Sequence, residues 1–507
     1  MRRTIVLLVL DGWGIGAHDN ANPIFMAAPP NINYLRANYR AGTLQASGIA
    51  VGLPWGEEGN SEVGHLTMGA GKVLYQHYPR ISIAIRNRSF FKNAALKSAF
   101  DAALKNQSAV NCIGLLTAGN VHASLEHVEA LIQYAKLSGV KKLNIHPVTD
   151  GKDSPRRSAG ALLKKLQTIL DREKIGGIGS IGGRYYGLDR DGHLDRTKKM
   201  LDVTMGTAAT RAPSIEAWLQ KNYTNQLEDE FIEPAIVDPA RTIQKNDSVI
   251  FWDFREDSIR QLAEMAASKG LAITTFTTYS KKLNAAVAFP EEVVGASLGD
   301  IFADHGKIQL RIAETEKYAH VTYFFNGLQE APNKNEYRVL IPSHNIARHD
   351  EHPEMRAAEI SARVAQSIEE NGADFILANL ANADMIAHTG NFEATAAAIG
   401  AVDRAVRRIY DACRAADAIL VITADHGNAE QLADPLTGVP ETHHNPSPVP
   451  CYLVAKEFVS VKNNPEARQT EREAVGTLAD IAPTILELAG IPTPSQMTGV
   501  SLVKLLR

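Results

Sequence analysis

Short apolar runs rich in valine and isoleucine alternate with longer alanine-rich stretches of helical period along almost the whole chain, which leaves few architectures open. Successive strands joined by helices lie parallel, so the pattern predicts α/β structure with helices covering both faces of parallel sheets. The clearest strand candidates are Thr4–Leu10, Asn111–Leu116, Lys142–His146, Asp247–Trp252, Ala272–Phe276, Phe375–Leu380 and Ala418–Thr423. Glu393–Ala415 has the period of one long amphipathic helix, with Arg404, Arg407, Arg408 and Arg414 on a solvated face. At 507 residues the chain exceeds one typical domain. Metal-type residues follow the first and last strand candidates, whereas the arginine-rich stretch between has strands and helices of its own. The expectation is a discontinuous domain, 1–76 with 294–507, interrupted by an inserted domain, 77–293. The crossings fall near Gln76–Pro79 and Phe289–Gly295, where Pro79 and Pro290 mark breaks in regular structure.

Composition excludes several function classes. Hydrophobic residues at 45% and charged residues at 22% are those of a soluble globular protein, not of a disordered chain or a membrane protein. A net charge of -4 carries no basic footprint for nucleic acid. The apolar run near the start covers only Ile5–Leu10 and ends on Asp11, which suits a buried strand better than a signal peptide. Cys112, Cys413 and Cys451 stand far apart with no CxxC spacing, which argues against a disulfide framework or a thiolate metal site and fits a cytoplasmic protein.

Three strand ends carry metal-type side chains. Asp11 follows IVLLVL, Asp384 lies just past FILANL with His388 four residues on, and Asp425 with His426 follows AILVITA. Ligands of open α/β sheets bind at that carboxyl edge. His443 and His444 sit in a proline-flanked loop, and carboxylate with imidazole suits manganese, zinc or magnesium. The segment GNSEVGH, Gly59–His65, adds a serine flanked by turn-forming residues. A serine hydroxyl is a weak nucleophile until a base or metal activates it, and Ser61 contributing its oxygen to one of two metals would be activated in that way.

These residues resemble a known family, the cofactor-independent, metal-dependent phosphoglycerate mutases of the alkaline phosphatase superfamily. The match runs nearly end to end through LVLDGWG at 8–14, GNSEVGHLTMGAG at 59–71, GRYYGLDRD at 183–191, DEFIEP at 229–234, ETEKYAHVTYFFNG at 314–327, DMIAHTG at 384–390, TADHGN at 423–428 and LADIAPTILELAGI at 478–491. The resemblance implies an alkaline-phosphatase-like parallel-sheet domain carrying two divalent ions of manganese type, with an inserted α/β domain that helps hold substrate. It assigns Asp11, Ser61, Asp425 and His426 to one ion, and Asp384, His388 and His444 to the other, His444 being preferred over His443 for its spacing to Pro448. It also implies that Ser61 takes the phosphoryl group from 3-phosphoglycerate and returns it to the 2-hydroxyl of the retained glycerate, in glycolysis and gluconeogenesis, without added 2,3-bisphosphoglycerate. The inserted domain would exclude water. Substrate contacts carried over are His122, Lys152, Asp153, Arg184, Arg190, Arg255 and Lys317. The arginines suit carboxylate and phosphoryl capture, and Asp153 suits proton exchange with the hydroxyls. The family further implies a monomer.

Departures cluster in the inserted stretch. Lys152 stands where the family has arginine, keeping the charge and losing the fork. TAGNVHAS around His122 lacks polar neighbours at Ala118 and Ala123, and Ser124 stands where a histidine is usual. DFREDS, Asp253–Ser258, has aspartate for the usual asparagine at 253 and serine for a second substrate arginine at 258, with Arg260 two residues on. A usual tryptophan–arginine pair is replaced within Gly192–Leu194. The alternative reading is therefore a metal-dependent phosphatase or phosphomutase acting on a different small phosphorylated metabolite.

Overall fold

The computed structural model describes residues 3–434, 437–471 and 473–507. It divides into two units, one built from the chain up to Tyr75 and from Val293 onward, the other from Gln76–Glu292. Pro79 does not break structure. It lies in the first turn of the helix His77–Arg86, where its missing N–H has no intrahelical partner to lose.

The discontinuous unit holds an eight-stranded sheet in the order Glu336–Ile341, Gln309–Glu314, Phe375–Leu380, Ile5–Leu10, Ile419–Thr423, Val449–Val454, Arg40–Gln45, Ala474–Thr477. The first five are mutually parallel, and Val449–Val454 runs antiparallel to both its neighbours. Ile5–Leu10 is buried at every residue, as expected of a parallel strand covered on both faces. Its register fixes the site: Leu10 pairs with Leu380 and Val9 with Thr423, so the residues following all three strands emerge at one edge. The Asp11 N–H then donates to the Leu380 carbonyl and the Asp384 N–H to the Asp11 carbonyl, both at 3.1 Å. Helix Phe392–Ala415 buries a stripe including Ala398, Ile399, Val402, Val406 and Ile409, and exposes Arg404, Arg407, Arg408 and Arg414.

The inserted unit has a second sheet, ordered Ala286–Val287, Ala272–Thr275, Ser248–Phe251, Val110–Leu116, Leu143–Thr149, Ser180–Gly183, Ala235–Ile236, with Gly177–Ile178 also beside Leu143–Thr149. All its pairings are parallel except the last, between Ser180–Gly183 and Ala235–Ile236. Cys112, Cys413 and Cys451 are buried free thiols. Among the described residues no helix is long and apolar enough to cross a membrane.

Candidate metal centre and anion-binding cluster

In the discontinuous unit the serine of GNSEVGH opens a helix, Ser61–Ala70, rather than lying in a loop. The turn-like composition before it is helix-start chemistry: Asn60 is the N-cap and its side chain accepts from the Val63 N–H. Ser61 Oγ sits 2.9 Å from His426 Nε2 and 3.3 Å from Asp11 Oδ1. Lys317, carried past the Gln309–Glu314 strand by the turn Thr315–Lys317, donates to Ser61 Oγ at 2.7 Å, Asp11 Oδ1 at 2.5 Å and Asp384 Oδ2 at 2.8 Å.

Two groups of donors have the spacing of metal sites, Asp11 with Asp425 and His426, and Asp384 with His388 and His444. In the second group the Nδ1 atoms of His388 and His444 each lie 2.8 Å from a backbone carbonyl, of Thr442 and Gly59. A carbonyl only accepts, so both Nδ1 atoms carry the proton and both Nε2 atoms present lone pairs. Those Nε2 atoms stand 3.0 Å apart, and 3.3 and 3.4 Å from Asp384 Oδ1. Such a convergence is met by a further proton on one Nε2, which the Asp384 carboxylate favours at His388, or by a bound cation, for which the backbone bonds orient the imidazoles. In the first group Asp425 Oδ2 is buried, with His65 Nδ1 at 3.3 Å and no well-formed hydrogen bond among the described residues, again a donor set suited to a hard or borderline divalent ion. The rings of His426 and His444 stack at 3.9 Å, joining the two groups. His443, beside His444, is exposed.

The electrostatics match. Burial raises the Asp11 carboxyl well above its ordinary value, and Asp425 adds to the effect. Burial also opposes ionisation of Asp384 and Asp425, but Lys317 and His426 around the first, and His426 and His65 around the second, hold both well below the usual range. Burial would discharge Lys317, yet Asp11, Asp384 and Asp425 outweigh it and keep the ammonium charged. Burial lowers His426 to about 4, so its ring is neutral at physiological pH, as a ligand must be.

Sequence reasoning passed over a second tier behind these groups. His65 Nδ1 lies 2.8 Å from the Ser61 carbonyl and 3.3 Å from Asp425 Oδ2. Its Nε2 accepts from Asn379 Nδ2 at 3.2 Å, and the same amide donates to Asp11 Oδ2 at 2.7 Å. Asn428 Nδ2 donates to Asp384 Oδ1 at 2.8 Å. His65 and Asn428 lie inside the quoted motifs, while Asn379 is signalled only as a polar residue near the end of an apolar strand.

The inserted unit gathers its own cluster at the carboxyl edge of its sheet. Arg184 opens the short helix Arg184–Gly187 after Ser180–Gly183. Its Nη1 donates to Asp150 Oδ1 at 2.5 Å and Asp153 Oδ2 at 2.8 Å, and its Nη2 to His122 Nε2 at 3.1 Å. Burial would raise Asp150, but hydrogen bonds from Thr117, Ser154 and Arg184 hold it below its ordinary value. Burial, with Arg184 adding, lowers His122 to about 4. Arg190 and Arg255 converge on one carboxylate, Asp257, at 2.7 and 3.0 Å. Lys152 turns instead to Glu230, at 2.7 Å, and Arg260 is exposed on the helix Glu256–Ala267.

Residues 3–493 match the model of the metalloenzyme superfamily. The chain is 41% identical to 2,3-bisphosphoglycerate-independent phosphoglycerate mutase 1 of Methanosarcina acetivorans, over 99% of each chain. It is 41% identical to a 2,3-bisphosphoglycerate-independent phosphoglycerate mutase of Clostridium kluyveri, over 99% of this chain and 100% of that one. The crystal structure of Leishmania mexicana phosphoglycerate mutase at low cobalt concentration resembles it with a TM-score of 0.52 at 25% identity, covering 99% of this chain and 97% of that one.

Proposed function

The chain belongs to the metalloenzyme superfamily and, within it, to the 2,3-bisphosphoglycerate-independent phosphoglycerate mutases, and from that we infer that it interconverts 3-phosphoglycerate and 2-phosphoglycerate through a phosphoserine on Ser61. The observation that carries the role of Ser61 is its position at a helix start with Oγ held between His426 Nε2, Asp11 Oδ1 and the Lys317 ammonium. Asp11 Oδ1 offers the hydroxyl proton an acceptor, and Lys317 donates to the oxygen that attacks. The P–O bond to the 3-oxygen of substrate breaks as the P–O bond to Ser61 Oγ forms. The displaced 3-oxygen takes the proton that Ser61 gave up, the glycerate turns, and the P–O bond to Ser61 Oγ breaks as one to the 2-oxygen forms, the 2-hydroxyl proton returning to Ser61. The Ser61 helix, ten residues long, favours negative charge at its first turn in both steps.

The activity depends on divalent metal and needs no 2,3-bisphosphoglycerate. We take the ions as two, of manganese type, one on Asp11, Ser61, Asp425 and His426 and the other on Asp384, His388 and His444. When bound they neutralise phosphoryl oxygens and favour ionisation of the serine hydroxyl. In the inserted unit, Arg184 donates to the substrate carboxylate with His122 beside it, Asp153 exchanges protons with the glycerate hydroxyls, and Arg190 and Arg255 meet anionic oxygens in place of Asp257. Lys152, engaged by Glu230, takes a smaller part. The protein acts as a cytoplasmic monomer, a reading supported by three buried free thiols and by the family.

The test is to supply purified protein with manganese and 3-phosphoglycerate, and to follow 2-phosphoglycerate and free phosphate together. Formation of 2-phosphoglycerate without added bisphosphoglycerate is expected. Phosphate release alone would instead establish the phosphatase reading. Ser61→Ala should abolish phosphoryl transfer with the fold intact, and retained turnover would remove Ser61 from the reaction.

A further inference from the structure

Ser258 stands where the resembling family has an arginine, and its contacts define a task of a different kind. It lies in the first turn of the helix Glu256–Ala267 and is buried. Its Oγ is 2.7 Å from His122 Nδ1 and 2.9 Å from Asp257 Oδ1. A hydroxyl has one proton to donate, and an ionised carboxylate can only accept. Asp257 is ionised: burial opposes it, but Ser258, Arg255 and Arg190 together hold its carboxyl below the ordinary value. The Ser258 proton therefore goes to Asp257, and Ser258 Oγ accepts from His122 Nδ1–H. The other side of the ring agrees. Arg184 Nη2 faces His122 Nε2 at 3.1 Å, and a guanidinium only donates, so Nε2 is the bare nitrogen.

We infer that Ser258 is a positioning residue which holds His122 in the Nδ1–H form, and so makes the imidazole an acceptor that fixes Arg184. One chain of donors then runs from Arg184 through His122 and Ser258 to Asp257, which also takes Arg190 and Arg255. The competing arrangement is nearby, because Asp153 Oδ2 lies 3.4 Å from His122 Nε2 and would accept from an Nε2–H tautomer. Ser258 decides between them. In the wild type Arg184 is held by Asp150, Asp153 and His122 through three of its donors, leaving Nε–H and one Nη2–H without an acceptor among the described residues. Serine at 258 thus replaces a direct cationic contact by rigidity of the remaining arginine.

The functional part of this inference rests on the mutase reading; the tautomer does not. Long-range proton–nitrogen correlation on the full-length, metal-loaded protein with labelled histidines, the His122 signals being assigned as those missing from His122→Gln, reads the tautomer directly. The wild type should show a protonated Nδ1 and a bare Nε2. Ser258→Ala should move the population toward Nε2–H, while Ser258→Thr, which keeps the hydroxyl, should restore the wild-type pattern. Ser258→Ala should raise KM for 3-phosphoglycerate about fivefold with kcat little changed, the loss expected when one hydrogen bond that orders a binding group is removed. A wild-type His122 protonated on Nε2, or a Ser258→Ala spectrum identical to wild type, overturns the inference even if mutase activity is intact. Absence of mutase activity with the expected spectra overturns the functional reading and leaves the tautomer assignment standing.

Discussion

Asn379 reaches Asp11 Oδ2 with one amide hydrogen and His65 Nε2 with the other, while His65 Nδ1 faces the Ser61 carbonyl and Asp425. One small amide therefore orients the Asp11 carboxylate and, through the imidazole, the backbone of Ser61. Asn379→Ala removes no proposed ligand, yet it should weaken metal binding about 10- to 100-fold, as loss of such outer partners does. Titrating manganese against melting temperature measures this, and unchanged affinity would confine Asn379 to packing. A second buried residue gives a pH signature. The Asp253 carboxyl accepts from the Leu115 N–H through Oδ1, its Oδ2 has no partner among the described residues, and burial lifts it from 3.8 to about 7. Below pH 3.8 folded and unfolded chains both hold that proton. Between 3.8 and about 7 the folded chain keeps a proton that the unfolded chain has lost, so stability falls as pH rises, and the full cost, about 4 kcal/mol as an upper bound, is present above 7. Asp253→Asn should accordingly raise the melting temperature at pH 8 and leave it nearly unchanged at pH 4. A shift of equal size at both pH values would locate the effect in packing.

At the scale of elements, the helix Ser61–Ala70 depends on a close approach. A Cβ at Gly64 would stand 2.6 Å from the Asp425 carbonyl oxygen and 2.8 Å from Asp425 Cβ. Gly64→Ala must push the helix away from the turn that carries Asp425, taking Ser61 with it. Turnover should fall on the order of 100-fold, the usual result of an ångström of misplacement, with most of the stability retained. Wild-type kcat in this variant would show that the helix can shift without moving its serine. The same helix shows why Ser61 reads as a loop residue in the sequence: Gly59 and Asn60 are turn formers that here cap a helix, and Gly64 serves contact. All seven strand candidates form, most of them as nearly unbroken apolar runs and Lys142–His146 by its alternation of Leu143 and Ile145 with polar residues. Those that escape the pattern carry misleading residues. Gln309–Glu314 buries Gln309 and Arg311, the latter between the rings of Phe325 and Phe375 at 5.2 Å. Arg40–Gln45 contains Gly42, and Val449–Val454 contains Pro450, which pairs with Thr43 just beyond the last pairing with Ile419–Thr423. Charge, glycine and proline in these strands are tolerated by tertiary surroundings that no local window contains.

At the scale of the molecule, the two units have separate hydrophobic cores. The two candidate metal groups belong wholly to the discontinuous unit. Divalent metal should therefore raise the unfolding temperature of that unit selectively, by about 2.7 kcal/mol of added stability at 100 times Kd. Calorimetry with manganese and with chelator measures it, and equal displacement of every transition would mean that the units unfold as one. The metal groups are legible in the sequence because strand ends in a parallel sheet share an edge, so residues far apart in the chain can be assigned to one place from pattern alone. The outer tier is not, since whether Asn379 or His65 faces a ligand depends on register and rotamer. The anion cluster is legible only in part: Arg184, His122 and Asp153 come together, whereas the partner that orders them, Ser258, looks in the sequence like a loss.

The order of these groups along the chain also has a bearing on biosynthesis. Ser61 is made early, but Lys317, Asp384, Asp425 and His444 follow only after the inserted unit has been completed. At about 5–20 residues per second the ribosome takes roughly 20 to 80 s to travel from Ser61 to His444. Until Lys317, Asp384 and Asp425 have followed, Ser61 lacks the lysine and two of the three carboxylates that surround it in the folded chain, so the proposed phosphoryl carrier is without its activating partners for most of that interval. On the proposed mechanism phosphoryl transfer requires that the distant strands dock, so a half-made chain should leave the substrate untouched.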